Sequence, residues 1–212
     1  MSIALRLAAL RPKLGQATLI AVSKTHPLES VREALNAGQR VFGENRVQEA
    51  LKKFVPLRQD FDDIELHLIG PLQTNKAQTA VELFDVIQTL DRPALAEALA
   101  KASAKSGKRP RLYIEVNIGQ EPQKAGVGPD ETEAFLSLCR NTYALSVSGL
   151  MCIPPLGKEP RSYFEALKAL ANHLALSHIS MGMSADFETA IACGATEVRL
   201  GTALFGHRSP RA

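Results

Sequence analysis

The chain has 212 residues, of which 45% are hydrophobic and 22% charged, which is typical of a soluble globular protein large enough for one α/β domain. Its 25 lysines and arginines exceed its 22 acidic residues by only three and form no basic block, so we expect no nucleic-acid partner. No apolar run approaches the roughly 18 residues that cross a bilayer, so we expect no membrane association.

The N-terminal stretch "MSIALRLAALRPKLGQ" predicts a short amphipathic helix. Arg6 and Arg11 interrupt its apolar residues and no small-residue cleavage site follows, so it is not typical of a signal peptide. Cys139, Cys152 and Cys193 lie too far apart for a zinc site or a disulfide framework. We therefore expect reduced thiols in a cytoplasmic protein, and no metal site.

Strand-like stretches alternate with helical patterns through the first half of the chain. "TLIAVSK" precedes a helix in "LESVREALNAG", where Val31, Ala34 and Leu35 share one face. "RVFGEN" precedes a helix in "RVQEALKKF", and "IELHLIG" precedes a short helical stretch after Leu72. "FDVIQTLD" precedes a helix in "RPALAEALAKASAKSG", with Pro93 in its first turn.

The alternation continues to the end of the chain. "PRLYIEVNI" precedes "PDETEAFLSLCRN", "LSVSGLMCI" precedes "EPRSYFEALKALANHL", "SHISMGMS" precedes "ADFETAIACG", and "EVRLGTALFG" is the eighth strand candidate. Repeated βα units imply parallel strands with right-handed crossovers, and eight units in about 200 residues predict a single α/β barrel of the (β/α)8, TIM-like type. We expect residues 1–17 to form a short N-terminal helical segment and residues 18–212 to form the barrel.

The alternative fold is an open, doubly wound sheet, which would gather functional residues at one switch point. No GxGxxG motif follows the first strand, and the candidate residues at strand ends are spread over the whole chain. A barrel would bring all of these strand ends to one face. The residues at the predicted ends are Lys24, Asn45, Gly70, Asp91, Asn117, Met151, Ser184, Arg199, Gly201 and Thr202.

Lys24 ends an apolar strand and offers an amine. In a partly desolvated pocket the pKa of a lysine falls, and the amine can then form a Schiff base with an aldehyde. A surface lysine that extends its charged end into water remains the alternative at this point. Only the other strand ends can decide between the two.

The last two strand ends suggest an anion site. Ser184 precedes a helix that we expect to begin near Ala185, and Gly201 would let the backbone approach a ligand beside Thr202. Phosphate sites in barrels often lie after strands seven and eight. Taken alone, Ser184 is more typical of a plain helix N-cap than of an anion site.

An amine and a phosphate site together indicate a phosphorylated aldehyde, and pyridoxal 5′-phosphate (PLP) is the commonest one in proteins. Arg199 precedes Gly201 by two residues and would share its face on a period-2 strand. A guanidinium at the pyridine nitrogen would disfavour protonation there and weaken the ring as an electron sink.

Seven segments occur in this order between Leu19 and Gly206: "AVSKTHP", "FGENRVQEA", "HLIGPLQTNK", "EVNIGQEPQKAGV", "GLMCIP", "MGMSADFETAI" and "VRLGTALFG". With this ordered set the chain resembles the YggS/PROSC family, also called PLP homeostasis proteins. The resemblance implies a single-domain PLP barrel of fold type III, similar to the N-terminal domain of bacterial alanine racemase.

The resemblance also implies roles for individual residues. Lys24 would carry PLP as a Schiff base, Ser184, Gly201 and Thr202 would hold its phosphate, and Arg199 would face the pyridine nitrogen. The ring pocket and its rim would add a further set of residues. Asn45 and Met151 would line the ring pocket, His67, Gly70, Asn75 and Lys76 would shape the rim, and Lys124 would lie beside the entrance.

Two features depart from the family pattern. Arg46 stands where the pattern has a tyrosine, and the region before Leu19 is short, so we expect an abbreviated first helix. Neither feature touches the residues expected to hold the phosphate or the Schiff base.

The resemblance to alanine racemase raises the question of catalysis. That enzyme has a second domain that supplies a catalytic tyrosine, whereas this chain ends at Ala212, soon after the eighth strand. Its own tyrosines, Tyr113, Tyr143 and Tyr163, do not fall at strand ends. A racemase needs acid–base groups on both faces of the cofactor; Lys24 would serve one face, and His26 is the nearest option for the other.

We therefore predict a PLP-binding protein that takes part in intracellular PLP homeostasis without a dedicated reaction. Its partners would be PLP and apo PLP-dependent enzymes, and without the second domain we expect a monomer. One alternative is a small PLP-dependent amino-acid racemase. Another is a barrel enzyme in which Lys24 forms a Schiff base with a sugar phosphate or keto acid.

Overall fold

The computed structural model describes residues 1–206 and shows a closed barrel of eight parallel strands. The strands pair in chain order, and β1 pairs with β8, which closes the ring. The predicted barrel is confirmed and the open sheet is excluded, while the predicted C-terminal limit at residue 212 lies outside the described residues. The strands are β1 (Thr18–Val22), β2 (Val41–Glu44), β3 (Glu65–Leu68), β4 (Val86–Leu90), β5 (Arg111–Val116), β6 (Val147–Cys152), β7 (His178–Ser180) and β8 (Glu197–Leu200).

Helices connect the strands and surround the barrel, and the predicted N-terminal helix is present. Two short 3-10 turns, Thr74–Lys76 and Pro129–Glu131, precede the fourth and sixth helices. The helices are α1 (Ile3–Leu14), α2 (Leu28–Asn36), α3 (Val47–Asp60), α4 (Ala77–Leu83), α5 (Pro93–Ser106), α6 (Thr132–Asn141), α7 (Arg161–His173), α8 (Phe187–Ala192) and α9 (Thr202–Phe205).

Two boundaries near the end of the chain differ from the prediction. β8 ends at Leu200 and α9 follows, so the strand predicted through "GTALFG" was wrong. Gly201 has φ −105° and ψ −78°, which lie outside the extended region, so the alternation of side chains along β8 does not continue to Gly201. α8 begins two residues later than expected, and Ser184 lies in the preceding turn rather than at the N-cap.

The apolar core lies between the strands and the helices. Val31, Ala34 and Leu35 of α2 are all buried, as their spacing predicted. Phe42 of β2 packs against Phe54 of α3, with ring centroids 5.5 Å apart. Full burial of a large apolar side chain stabilises a fold by roughly 1.5–3 kcal/mol, so this layer holds the helices on the barrel.

The inside of the barrel is largely polar. Gln88 of β4 accepts from the Ser180 hydroxyl of β7 at 2.7 Å and donates to Glu197 of β8 at 3.0 Å. Tyr113 of β5 also donates to Glu197, at 2.5 Å. These contacts join strands that are not neighbours in the ring, so the side chains meet in the interior. Because every member is hydrogen-bonded, the network fixes the packing of the centre instead of opposing it.

The same interior network extends towards the N-terminal end of the barrel. Gln88 lies 2.8 Å from Nδ1 of His67, whose Nε2 donates to Glu65 at 2.6 Å. This hydrogen bond lowers the pKa of Glu65 to about 2, although burial opposes it. Arg111 also pairs with Glu65, at 2.7 Å. The interior is therefore crosslinked from one end of the strands towards the other.

Candidate functional site

A cavity of about 340 Å³ opens at the C-terminal ends of the strands, a volume within the usual range for small-molecule sites. Apolar side chains, among them Val22, Ile69, Ile153 and Met183, form part of its wall. The barrel closure brings the ends of β1, β2, β7 and β8 together here. Six of the seven predicted cofactor-binding residues line the cavity: Lys24, Asn45, Ser184, Arg199, Gly201 and Thr202.

Lys24 lies in a tight turn that follows β1. The His26 amide donates to the Ser23 carbonyl at 3.1 Å and closes the turn. Thr25 has φ +65°, a left-handed conformation that a β-branched residue rarely adopts. His26 also lines the cavity, and its ring stacks on Phe205 with centroids 4.8 Å apart.

Arg199 is a buried cation in the wall of the cavity. Its NH1 donates to Ser180 Oγ at 2.7 Å, and its NH2 donates to the Cys152 carbonyl at 2.8 Å. Burial lowers the pKa of Arg199, and it also raises the pKa of the Cys152 thiol to about 12, against the attraction of Arg199. Two of the five guanidinium N–H groups are committed to these contacts, and the side chain is held in one orientation.

Another part of the wall is formed by the turn before α8 and the start of α9. The Ala203 amide of α9 donates to Ser184 Oγ at 3.3 Å, which joins the two segments. The first-turn amides of a helix have no acceptor within the helix and favour an anion. A Cβ added at Gly201 would meet Val22 O at 3.4 Å, an ordinary contact, so protein packing alone does not require glycine here.

Asn45 carries an unsatisfied acceptor. Its Oδ1 is buried and has no hydrogen-bond partner among the described residues. An orphaned buried carbonyl costs about 1–3 kcal/mol unless a ligand or water satisfies it. With the Lys24 amine and the buried cation Arg199 in the same cavity, the donor and acceptor set fits an anionic ligand that also carries a polar group, as PLP does.

Met151 does not line the cavity. It is fully buried in a small interior cluster with Val86 and Tyr113. Its register partners on the adjacent strands are Glu115 and Ser180, so it lies in the layer of side chains below the cavity. Any effect of Met151 on a ligand would act through the floor of the site.

The predicted rim residues separate into different environments. His67 is fully buried in the barrel interior, so its assignment to the rim was wrong: on β3 its side chain faces Gln88. Asn75 and Lys76 lie in a 3-10 turn outside the cavity wall. Gly70 lies against Asn45, because an added Cβ would come within 2.4 Å of the Asn45 carbonyl.

Asn117 and Asp91, the remaining predicted strand ends, do not line the main cavity. Asn117 exchanges hydrogen bonds with the backbone of Glu121, at 2.9 and 3.1 Å, and shapes its own loop. Asp91 pairs with Arg92 at 2.5 Å. Lys124 lines a smaller depression of about 190 Å³ that shares Ile153 with the main cavity, which agrees with a position beside the entrance.

The sequence reasoning missed a charged cluster under the Lys24 turn. Glu44 and Lys53 are buried and form an ion pair, and Glu49 pairs with Lys53 at 3.0 Å. Two signals could have found it. Glu44 is a carboxylate at the end of an otherwise apolar strand, and Glu49 and Lys53 lie four residues apart on one helix face.

Three further features concern metal-binding groups, membrane-spanning helices and cysteines. Residues 1–206 contain no group of three histidine, cysteine or acidic side chains placed to hold a metal ion. Within the same range, no helix is long and apolar enough to cross a membrane. The three cysteines are buried and form no disulfide with one another.

Comparison with known proteins gives the family. The family described as "Alanine racemase, N-terminal domain" matches residues 2–209. A pyridoxal phosphate homeostasis protein of Aquifex aeolicus is 45% identical over 201 residues, which cover 91% of this chain and 87% of that protein. The chain belongs to the family of pyridoxal phosphate homeostasis proteins. Another member, from Escherichia coli K12, is 38% identical over 200 residues, covering 90% of this chain and 86% of that protein.

Solved structures of PipY and of an alanine racemase share the fold. PipY of Synechococcus elongatus, solved with PLP bound, has a TM-score of 0.89 and 43% identity, covering 97% of this chain and all of that one. An alanine racemase of Clostridium difficile has a TM-score of 0.76 at 13% identity, covering 99% of this chain and 57% of that one. The second likeness concerns the fold alone.

Proposed function

We propose that this protein binds PLP in the cavity at the C-terminal end of the barrel and takes part in intracellular PLP homeostasis. The observation that carries the proposal is the convergence in one cavity of the Lys24 amine, the buried Arg199 guanidinium, and the segments that contain Ser184 and residues 201–202. The PLP-bound PipY structure, which is 43% identical over almost the whole chain, supports the same ligand.

Each wall of the cavity would meet a different part of the cofactor. The Lys24 amine would join the aldehyde carbon as a Schiff base, and Arg199 would face the pyridine nitrogen. Ser184, Gly201 and Thr202 would hold the phosphate at the start of α9, where the amides favour an anion. The unsatisfied Asn45 Oδ1 would accept from a polar ring substituent. When bound, PLP supplies an electron sink, which Arg199 would weaken by keeping the nitrogen unprotonated.

We further propose that the protein runs no dedicated catalytic reaction. A racemase needs two acid–base groups, one on each face of the cofactor. Lys24 is one candidate, and His26, which also lines the cavity, is the candidate for the second. His26 stacks on Phe205 and is thereby oriented as a wall residue. PLP held in this way is available for storage and delivery.

His26 also defines the second candidate function, a small amino-acid racemase, because it shares the cavity with Lys24. Deuterium exchange at Cα of a panel of amino acids separates the two functions. A carrier gives no exchange above that of free PLP, whereas exchange that turns over and is lost in His26→Ala would establish the racemase instead.

The primary test is PLP binding through Lys24. Titration with PLP should give a visible absorption band, and borohydride should fix PLP on the peptide containing Lys24. Lys24→Ala should abolish that fixation yet retain part of the PLP, because the phosphate residues come from other strands. Lys105→Ala, which changes an exposed lysine of α5, is the matched control and should behave like the wild type. A spectrum unchanged by PLP would refute the proposal.

Delivery of PLP is the part of the proposal that concerns partners. The recipients we propose are apo PLP-dependent enzymes in the cytoplasm, served by a monomer. Mixing PLP-loaded protein with an apo-enzyme should restore the activity of that enzyme faster than the same amount of PLP released from the Lys24→Ala variant. Recovery no faster than PLP dissociation would leave storage as the function and exclude direct transfer.

A further inference from the structure

The turn that carries Lys24 is held from below by a lysine of α3. Lys53 is only 7% exposed, although lysine is among the residues least often buried. Its Nζ donates to the Ser23 carbonyl at 2.7 Å and lies 3.5 Å from the His26 carbonyl. These carbonyls flank Lys24 and Thr25, so one ammonium group holds both sides of the turn.

Two carboxylates complete the cluster. Glu49 pairs with Lys53 at 3.0 Å and accepts the Thr25 amide at 2.5 Å. Glu44 is fully buried, contacts the Nζ of Lys53 and accepts from the Ser23 hydroxyl at 2.7 Å. We call Glu44, Glu49 and Lys53 the turn clamp. It contacts the turn through the Ser23 hydroxyl, the Ser23 and His26 carbonyls and the Thr25 amide.

The clamp acts on a strained backbone. Thr25 has φ +65°, and its β-branched side chain disfavours this conformation. Such residues keep their conformation only where the surroundings over-determine it, and they concentrate at functional sites. The amide that Glu49 accepts belongs to this same residue. Glu49 and Lys53 thus contact both the strained residue and the carbonyls on either side of residues 24–25.

Stability alone does not explain a buried charge cluster. Apolar side chains of similar volume often stabilise a protein as well as a buried ion pair does, because the charges lose their hydration. Burial raises the pKa of Glu44 despite the opposing charge of Lys53, and its Oε2 has no partner among residues 1–206. The cluster therefore holds the conformation of the turn, although the lost hydration of its charges opposes folding.

We propose that the turn clamp positions Lys24, so that its amine enters the cavity in the orientation that captures PLP. In the capture step the amine nitrogen bonds to the aldehyde carbon and the aldehyde oxygen leaves as water. The inference rests on the proposed function of PLP binding and adds to it a set of positioning residues outside the cavity. None of the three lines the cavity wall.

The test separates capture by Lys24 from binding of PLP. Lys53→Met removes the ammonium group and keeps the length of the side chain, and Lys52→Met, on the exposed side of the same helix, is the matched control. We expect the visible band to form about ten- to hundredfold more slowly in Lys53→Met, the scale of a small misplacement of a reacting group. Non-covalent affinity, measured with and without Lys53→Met in the Lys24→Ala background, should be unchanged.

A second pair of variants retains the buried Glu44–Lys53 pair and guards against misfolding. Glu49→Ala removes the acceptor of the Thr25 amide, whereas Glu49→Gln keeps an oxygen there. Capture should slow in the alanine variant and be partly rescued in the glutamine variant. Without PLP, the Thr25 amide should exchange its hydrogen faster in Glu49→Ala than in the wild type or Lys52→Met.

The outcomes distinguish the two proposals. If the wild type binds no PLP, the proposed function fails, while hydrogen exchange at Thr25 still reports whether the clamp holds the turn. Wild-type capture rates in both Lys53→Met and Glu49→Ala would overturn the positioning role and leave PLP binding intact. Equal slowing in Lys52→Met, or a loss of affinity in the Lys24→Ala background, would assign the effect to general destabilisation and would also overturn it.

Discussion

Glu115 shows, at the scale of one side chain, how burial changes the chemistry beside the cavity. It lies near the end of β5 and lines the depression next to the main cavity. Burial, followed by the negative charge of Asp91, raises the pKa of Glu115 to about 7, although Arg199 opposes the shift. The carboxyl therefore changes its charge near neutral pH.

This pKa makes stability depend on pH in a defined direction. Between the unfolded value of 4.5 and the folded value of about 7, the folded protein holds a proton that the unfolded chain has lost, so stability falls as pH rises. Above pH 7 the cost is complete, at most about 3 kcal/mol. Glu115→Gln should therefore be more stable than the wild type at pH 8 and gain little at pH 4.5, as measured by urea unfolding.

A matched substitution controls for loss of negative charge. Asp62→Asn changes an exposed carboxylate in the loop between α3 and β3 and should not reproduce the gain in stability of Glu115→Gln at pH 8. The same stability difference between Glu115→Gln and the wild type at pH 4.5 and pH 8 would show that Glu115 does not titrate as described.

At the scale of elements, the step from β8 to α9 builds one wall of the site. The strand stops at Leu200 because Gly201 turns the backbone, and the helix begins at Thr202. Gly149 of β6 is different, because a Cβ there would come within 2.6 Å of the His178 carbonyl. One glycine is required by the contact between strands, while the other faces the cavity.

This contrast predicts that substitution by alanine lowers PLP affinity at Gly201 but stability at Gly149. Gly201→Ala should keep the stability within about 0.5 kcal/mol, since its methyl group meets only Val22. PLP affinity should fall roughly tenfold or more, because the methyl group enters the proposed phosphate site. Gly149→Ala should instead lower stability by about 1–3 kcal/mol. Calorimetry with PLP and thermal unfolding measure both, and full affinity in Gly201→Ala would argue against a phosphate at this wall.

The sequence allowed the strand ends to be predicted but not the depth of each side chain. Parallel strands in a barrel end at one face, so Lys24 and Arg199 could be brought together from their places in the chain. Alternation along a strand gives the side that a residue faces, but not its layer, which is why Met151 and His67 lie deeper than expected.

Local sequence signals indicate the charges of the turn clamp but not their position in the fold. The spacing of Glu49 and Lys53 indicates an ion pair on a helix, and such pairs are usually exposed. Here α3 docks beneath the β1 turn and buries the lysine. Contacts between residues about 30 positions apart depend on how helices pack on the sheet, and hydrophobic periodicity does not specify the position of a buried charge.

At the scale of the whole molecule, α1 belongs to the packed structure of the barrel. It contacts α2, α8 and α9, and it buries Leu7 and three further apolar residues. The Ile3 amide donates to Glu33 of α2 at 2.9 Å, and Lys13 pairs with Glu188 of α8 at 2.7 Å. The N-terminal segment therefore supports α9, which forms part of the cavity.

Removal of one buried side chain from α1 should destabilise the entire fold. Leu7→Ala should lower the free energy of unfolding by about 2–4 kcal/mol, because it leaves a cavity between helices. Leu5→Ala, at an exposed position of the same helix, should change it by less than about 0.5 kcal/mol. Chemical denaturation measures both, and a single transition shared with the barrel would show cooperative unfolding. Equal, small effects would indicate a loosely attached helix.

One chain of hydrogen bonds in the polar interior of the barrel runs in a single direction. Arg199 donates to Ser180, Ser180 to Gln88, Gln88 to His67, and His67 to Glu65, so every donor points away from the cavity. This order fixes the tautomer of His67, with its proton on Nε2, and the orientation of the Gln88 amide. The row cannot reverse, because the Arg199 guanidinium at one end can only donate and the Glu65 carboxylate at the other end can only accept. The dipoles of Ser180, Gln88 and His67 therefore align between the two charges. The negative end of each dipole faces the buried Arg199 cation, and the row ends on the Glu65 carboxylate.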